Sequence, residues 1–184
     1  MLTGIILAGG PNDYVNGRHK SLLPHNDKLL IHHQIKEMSE IVDELIIVTN
    51  SPRELLPHVP PNIRIITDFY LHRGVLGGLH AGLSLARSDI AWVIKADNLS
   101  PSSDSTVLLI KHLLKHDADI AIPVINNIPS PLQGVYRTDT KIVLTELIQK
   151  GASSLSAFLE RIDKITVPIH SHSTVKRTDR LSFH

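Results

Sequence analysis

The strongest constraint on this chain is an alternation. Short, nearly unbroken apolar runs take turns with longer stretches whose apolar residues recur at helical spacing. Residues 4–7, 44–48 (ELIIV), 63–67 (IRIIT), 90–96 (IAWVIKA), 119–124, 132–136 and 165–167 read as strands, being too short and too β-branched for helices. Residues 29–41, 78–86, 103–116, 138–150 and 154–161 read as helices, with Gly151 breaking the last two apart. Within 103–116 the period turns Leu108, Leu109, Leu113 and Leu114 inward and Lys111, His112, Lys115 and His116 outward. Strands that are apolar on both faces need helices on both faces. With right-handed crossovers, this gives a three-layer α/β/α sandwich around a Rossmann-like, mostly parallel sheet. At 184 residues, one domain spanning 1–184 is expected.

Composition removes several function classes. A formal net charge of +1 supplies no global field to draw in nucleic acid or an anionic membrane, so neither is expected as a partner. The absence of cysteine excludes disulfides and thiolate zinc sites. The opening MLTGIILAGG lacks a basic flank and is too short for a secretory or membrane-spanning run, so a cytoplasmic location is expected.

In open α/β sheets, ligands bind beyond the carboxyl ends of the strands. The first strand here runs into Ala8, Gly9 and Gly10, and the second into Thr49 and Asn50. The third runs into Asp68 and the fourth into Asp97. Asn and Asp in such places also start turns and helices, and Ser51-Pro52 resembles a helix start after Asn50. Asp97 stands apart, because it follows an apolar run at the expected sheet centre, where a carboxylate suits a divalent cation.

The stretch LAGGPNDYVNGRHK, residues 7–20, is either a simple turn or a phosphate cradle. In the second reading Gly9 and Gly10 turn backbone N–H groups towards an anion, and Lys20 adds a mobile charge. It matches neither the Walker A pattern nor G-x-G-x-x-G. A second glycine-rich segment, GVLGGLHAG at 74–82, opens a helix soon after Asp68, in a position suited to an anion or a closely approaching base.

LAGG, the G-x-x-K of Gly17 to Lys20, and the following SLLP resemble the N-terminal signature of the MobA-like nucleotidyltransferases. These are the molybdenum cofactor guanylyltransferases and their relatives. The likeness continues through IVTN, ITD followed by GVLGGLHAGL, KADNLSP, PLQGVYR and GASSLSAFLERI, in order along most of the chain. It implies a sheet of the nucleotide-diphospho-sugar transferase type. It also implies an enzyme that moves GMP from GTP to the phosphate of molybdopterin, releasing pyrophosphate. By the same resemblance Leu7, Ala8, Gly9 and Gly10 contact the nucleotide, and Lys20 its phosphates. Asn50 and Asp68 hold base or ribose, and Asp97 carries Mg²⁺. Lys20 and Asp97 are then the catalytic pair, and other cofactor-assembly proteins are possible partners.

The chain departs from the family pattern in three places. Residues 12–16 stand where the family has S-x-R-M, so the loop arginine is absent, with Arg18 nearby but beyond Gly17. Loss of one such donor corresponds to roughly 10²–10³-fold in rate. Asn98 and Leu99 replace the Met-Pro of the family's DMP, and NINTPEDL has only TVKRTDRL, 174–181, as a counterpart. Two further readings therefore stand beside the first. One is a relative using another nucleotide or acceptor, such as CTP or a sugar phosphate. The other is a catalytically weakened GTP-binding regulator. The histidine pairs His112/His116 and His170/His172 read as solvated surface rather than metal ligands. Trp92 reads as core, and Lys95 as a neighbour of Asp97 or of a phosphate.

Overall fold

A computed structural model of the chain describes residues 1–10, 13–70 and 73–169. Eight strands form its main sheet: β1 (Thr3–Leu7), β2 (Glu44–Val48), β3 (Arg64–Ile66), β4 (Ile90–Lys95), β5 (Ile120–Ile125), β6 (Ile128–Pro129), β7 (Val135–Arg137) and β8 (Lys164–Pro168). Their order is β6-β5-β7-β4-β1-β2-β3, with β8 paired to β5. β1 pairs in parallel with β2 and β4, β2 with β3, and β5 with β8. β7 runs antiparallel between β4 and β5, and β6 is antiparallel to β5. The sheet is thus mostly parallel, as expected, with one reversed strand inserted at its centre.

Besides the one-turn helix Pro52–Leu55, the helices are α1 (Leu30–Met38), α2 (Gly74–Leu85), α3 (Ser103–His116), α4 (Lys141–Gln149) and α5 (Leu155–Leu159). Strand alternation sorts the core into two clusters. Ile6, Leu45, Ile47, Trp92 and Ile94 pack with Ile31, Ile35 and Met38 of α1 and Leu109 and Leu113 of α3. Ile5, Leu7, Ile46, Val48 and Val93 pack with Leu76, Leu79 and Leu83 of α2, Leu144 of α4 and Phe158 of α5. Helices cover both faces, giving the three-layer α/β/α sandwich. Gly82 makes one close approach possible, since a Cβ there would lie 2.8 Å from Ile5 Cγ2.

Three details differ from the sequence reading. α2 begins at Gly74 (φ +54°), four residues before the expected start at 78. Leu132 lies in a 3₁₀ turn, Pro131–Gln133, and the strand starts only at Val135. Leu114 is exposed, because the inward stripe of α3 runs through Thr106, Leu109, Ile110 and Leu113 and turns past it.

Candidate functional site at the carboxyl edge of the parallel strands

The register levels the strand ends. Leu7 faces Val48 on one side and Lys95 on the other. Ala8 N–H donates to Val48 O at 2.7 Å, and Ala96 N–H to Leu7 O at 2.9 Å. The chain leaves the sheet at Gly9, where a Cβ would lie 3.3 Å from Asn50 N. Asn50 Nδ2 donates to Gly9 O at 3.1 Å and to Asp68 Oδ2 at 3.4 Å, joining three strand ends. Its side chain therefore bridges rather than caps; the expected helix start is met one residue on, with Ser51 at the N-cap position of the short helix Pro52–Leu55. Asp68 Oδ1 is buried and has no hydrogen-bond partner among the described residues. Gly77 must stay small, because a Cβ there would lie 3.0 Å from Tyr70 O and 3.4 Å from Asp68 Oδ2.

A cavity of about 220 Å³ opens at this edge. Leu7, Ala8, Gly9, Gly10, Asn50 and Asp68, all expected from the sequence, line it. Gly74, Val75 and Gly78 of α2 and Leu132 of the turn before β7 also line it, as does Lys95. Tyr136, fully buried, donates from its hydroxyl to Pro131 O at 2.6 Å and so fixes the turn carrying Leu132. Burial pushes that phenol well above its ordinary pKa, so it remains a donor. A wider depression of about 760 Å³ over Pro24, Asn26–Leu29 and His32 lies elsewhere and includes none of the expected residues.

Lys20 and Asp97 meet beside this cavity rather than in its lining. Lys20 Nζ lies 3.7 Å from Asp97 Oδ2, and Lys95 Nζ lies 3.1 Å from the same oxygen. The loop carrying Asp97 is held from α1. Gln34, fully buried, directs Nε2 at the carbonyls of Lys95, Ala96 and Asn98, at 3.3, 3.1 and 2.8 Å. One turn on, Glu37 Oε1 accepts from Ser103 N–H and Oγ at 2.8 and 2.9 Å, at the start of α3. Asn98, in the place of the family's Met, accepts from Ser100 N–H at 3.0 Å and closes the turn locally.

The glycine loop is braced by its own side chains. Gly10 N–H, expected to face an anion, donates to the buried Asp13 Oδ2 at 2.6 Å. This chain's own carboxylate thus occupies one N–H of the expected nest. His19 is buried, with Nε2 3.0 Å from Ala8 O and Nδ1 accepting from Ser21 N–H at 3.2 Å. That pairing requires the proton on Nε2. Tyr14 and His19 pair in a two-residue ladder, as do Val15 and Arg18. Alternation therefore puts Arg18 on the face opposite His19. The Tyr14 hydroxyl donates to Glu54 Oε1 and meets the Ser51 hydroxyl, at 2.8 Å each. Burial, then Glu54, raises its pKa.

Sequence reasoning did not find Asp13, His19 or Gln34. Asp13 and His19 carried no distinguishing pattern, and Gln34 acts across more than 60 residues. The rings of His112 and His116 stack 6.0 Å apart, and no group of three or more His, Asp or Glu able to hold a metal occurs among the described residues. His170, His172 and the TVKRTDRL segment lie outside the described residues. No helix among the described residues is long and apolar enough to cross a membrane.

The profile of the MobA-like NTP transferase domain matches residues 4–165. Among curated proteins, the chain is 30% identical over 164 residues to the molybdenum cofactor guanylyltransferase of Yersinia pestis, covering 88% of this chain and 82% of that protein. It is 27% identical over 150 residues to the probable molybdenum cofactor guanylyltransferase of Clostridium perfringens, covering 82% and 73%. The crystal structure of molybdopterin-guanine dinucleotide biosynthesis protein A from Archaeoglobus fulgidus superposes with a TM-score of 0.74 at 21% identity, covering 91% of this chain and 83% of that one.

Proposed function

Because the chain belongs to the MobA-like NTP transferase family, we propose that it transfers GMP from GTP to the phosphate of molybdopterin, with release of pyrophosphate. The observation that carries this reading is the meeting of Lys20 and Asp97 beside a cavity lined by glycines, with Nζ and Oδ2 3.7 Å apart and Lys95 of the cavity wall on the same oxygen. Attack of a phosphate oxygen on the α-phosphorus needs charge neutralisation and alignment more than a protein nucleophile. The cavity, about 220 Å³, is smaller than a site for a whole ligand of nucleotide size, at ~300–1,000 Å³. It suits the base and ribose, against Gly9, Asn50 and Asp68, with the phosphates lying outwards towards Lys20 and Asp97.

Asp97 is a single carboxylate, which fits Mg²⁺ of the kind that keeps its waters and takes its other ligands from substrate phosphates. Such an ion, when bound, would neutralise charge developing on the phosphates. Lys20 would bind the phosphates directly, Asn50 would hold Gly9 O in place, and Gln34 would keep the Asp97 loop from shifting. The catalytically weakened GTP-binding regulator stays the second reading. It is favoured by Tyr14, which lies in the segment replacing the loop arginine and is tied to Ser51 and Glu54, while Arg18 faces away from His19.

The test is pyrophosphate release with GTP, molybdopterin and Mg²⁺. Release that Asp97→Ala abolishes supports the transferase. GTP binding without release supports the regulator. No stabilisation by GTP, CTP or ATP would sink both.

A further inference from the structure

Lys95 is the last residue of β4, beside Leu7 at the end of β1. Its alternation parity is that of Ala91 and Val93, which pack on the α2 side of the sheet. That is the side on which α2 supplies Gly74, Val75 and Gly78 to the cavity, and Lys95 is the cationic residue among those lining it. Its backbone is fixed by the parallel ladder to β1 and by Gln34 on its carbonyl, so the direction of its side chain is set by the fold. Its ammonium and that of Lys20 converge on one oxygen of one carboxylate.

Two cations on a single carboxylate exceed what that carboxylate needs. The ion pair itself is a weak reason for the lysine, since both side chains are 37% exposed and such pairs contribute little to stability. The cavity that Lys95 lines also carries the carboxylates of Asp13 and Asp68, but these are engaged by Gly10 N–H and Asn50 Nδ2, and Lys95 is the side chain that brings positive charge to its wall. Within the glycine loop, residues 13–16 hold no cation, and Arg18 is turned to the other face of the ladder from His19.

We propose that Lys95 is a phosphate-binding residue, supplying from strand β4 the positive charge that the glycine loop lacks. This rests on the nucleotide reading of the cavity, but its chemistry is that of a polyphosphate chain whatever the base. When a polyphosphate binds, Lys95 exchanges Asp97 for a phosphate oxygen, leaving Asp97 free for a cation. Lys20 and Lys95 then hold the chain from two different segments.

The experiment titrates inorganic tripolyphosphate, guanosine and GTP into wild type, Lys95→Met and Lys95→Arg by calorimetry, with unliganded melting as a control of folding. The expected result is a loss of roughly 10- to 100-fold in tripolyphosphate and GTP affinity for Lys95→Met. Guanosine affinity stays unchanged, and Lys95→Arg recovers most of the loss. Equal or tighter binding of tripolyphosphate by Lys95→Met overturns the assignment while leaving the nucleotide reading intact if GTP still binds. Lys95-dependent binding of tripolyphosphate with no binding of GTP, CTP or ATP keeps the assignment and removes the nucleotide reading. Should Lys95→Met fail to fold, reductive methylation of the wild type decides. Tripolyphosphate should slow modification of Lys95 relative to exposed lysines, and an unchanged rate overturns the proposal.

Discussion

The two ends of the same parallel strands treat their carboxylates in opposite ways. At the amino edge Glu44, at the start of β2, is fully engaged. It accepts from Arg87 N–H at 2.6 Å, Thr3 Oγ1 at 2.8 Å and Arg64 Nη1 at 3.1 Å. Asp43 beside it accepts from Leu2 N–H at 2.6 Å. At the carboxyl edge Asp68 keeps a buried oxygen with no partner among the described residues, and Asp97 is half-buried and shared by two lysines. One edge saturates its carboxylates with hydrogen bonds; the other holds Asp97 by partly exposed lysines and Asp68 through one oxygen. Unsatisfied groups persist in folded proteins where function needs them.

Substitutions can break this contrast, the largest effect first. Asp97→Ala should lower pyrophosphate release by roughly 10²–10³-fold or more. Its melting temperature should stay at or above that of wild type, as measured by calorimetry. Gln34→Leu strips three carbonyls of their buried donor and should cost about 1–3 kcal/mol in urea unfolding. It should also raise the Mg²⁺ concentration needed for half-maximal release, since it acts through the loop of Asp97. Loss of stability without that shift would make Gln34 a purely structural residue.

Glu44→Ala should cost about 1–3 kcal/mol as well, with GTP affinity of the folded protein unchanged. Burial pushes the Glu44 carboxyl up, but the Arg87 N–H, Thr3 and Arg64 hydrogen bonds outweigh it, leaving its pKa below the ordinary 4.5. A lowered folded pKa stabilises above the unfolded value and is lost as pH falls through the folded one. Wild type should therefore lose stability as pH drops below 4.5, and Glu44→Gln should show a flatter profile there. The smallest effect is at Asp68. Asp68→Asn should change stability by less than ~1 kcal/mol while weakening GTP-induced stabilisation. A large destabilisation would mean that the two edges are built alike.

The layered fold and the gathering of the candidate residues at one sheet edge were legible because both follow from local pattern. The β-branched runs at 44–48 and 90–96 mark the strands, and the carboxyl-end rule then selects Gly9, Asn50, Asp68 and Asp97. What bound those residues together was not legible. Gln34 reaches across from α1 to the end of β4, so no window of sequence contains the interaction. Asp13 is local to Gly10, yet an aspartate in a turn gives no sign of whether it will face water or a backbone N–H. The start of α2 at Gly74 was missed because consecutive glycines weaken helix propensity. Here they are retained by close packing: at Gly77 against Tyr70 O and at Gly82 against Ile5.

The reversed strand β7 has an architectural result of its own. Because it runs against β4, its leading end, not its trailing end, arrives at the site, and it brings Leu132 with it. Upstream of it, the chain turns through Asn126 and Asn127, both at positive φ, before the exposed Ile128. The ends of β1 and β2, the end of β4, and helix α2 thus make three of the cavity walls, held by the parallel ladders and the core, while the fourth hangs on a hairpin and a single turn. A lineage can redraw that fourth wall by changing a few residues between 126 and 134, with the register of the parallel strands untouched. The fold separates the part of the site that must stay from the part that is free to diverge.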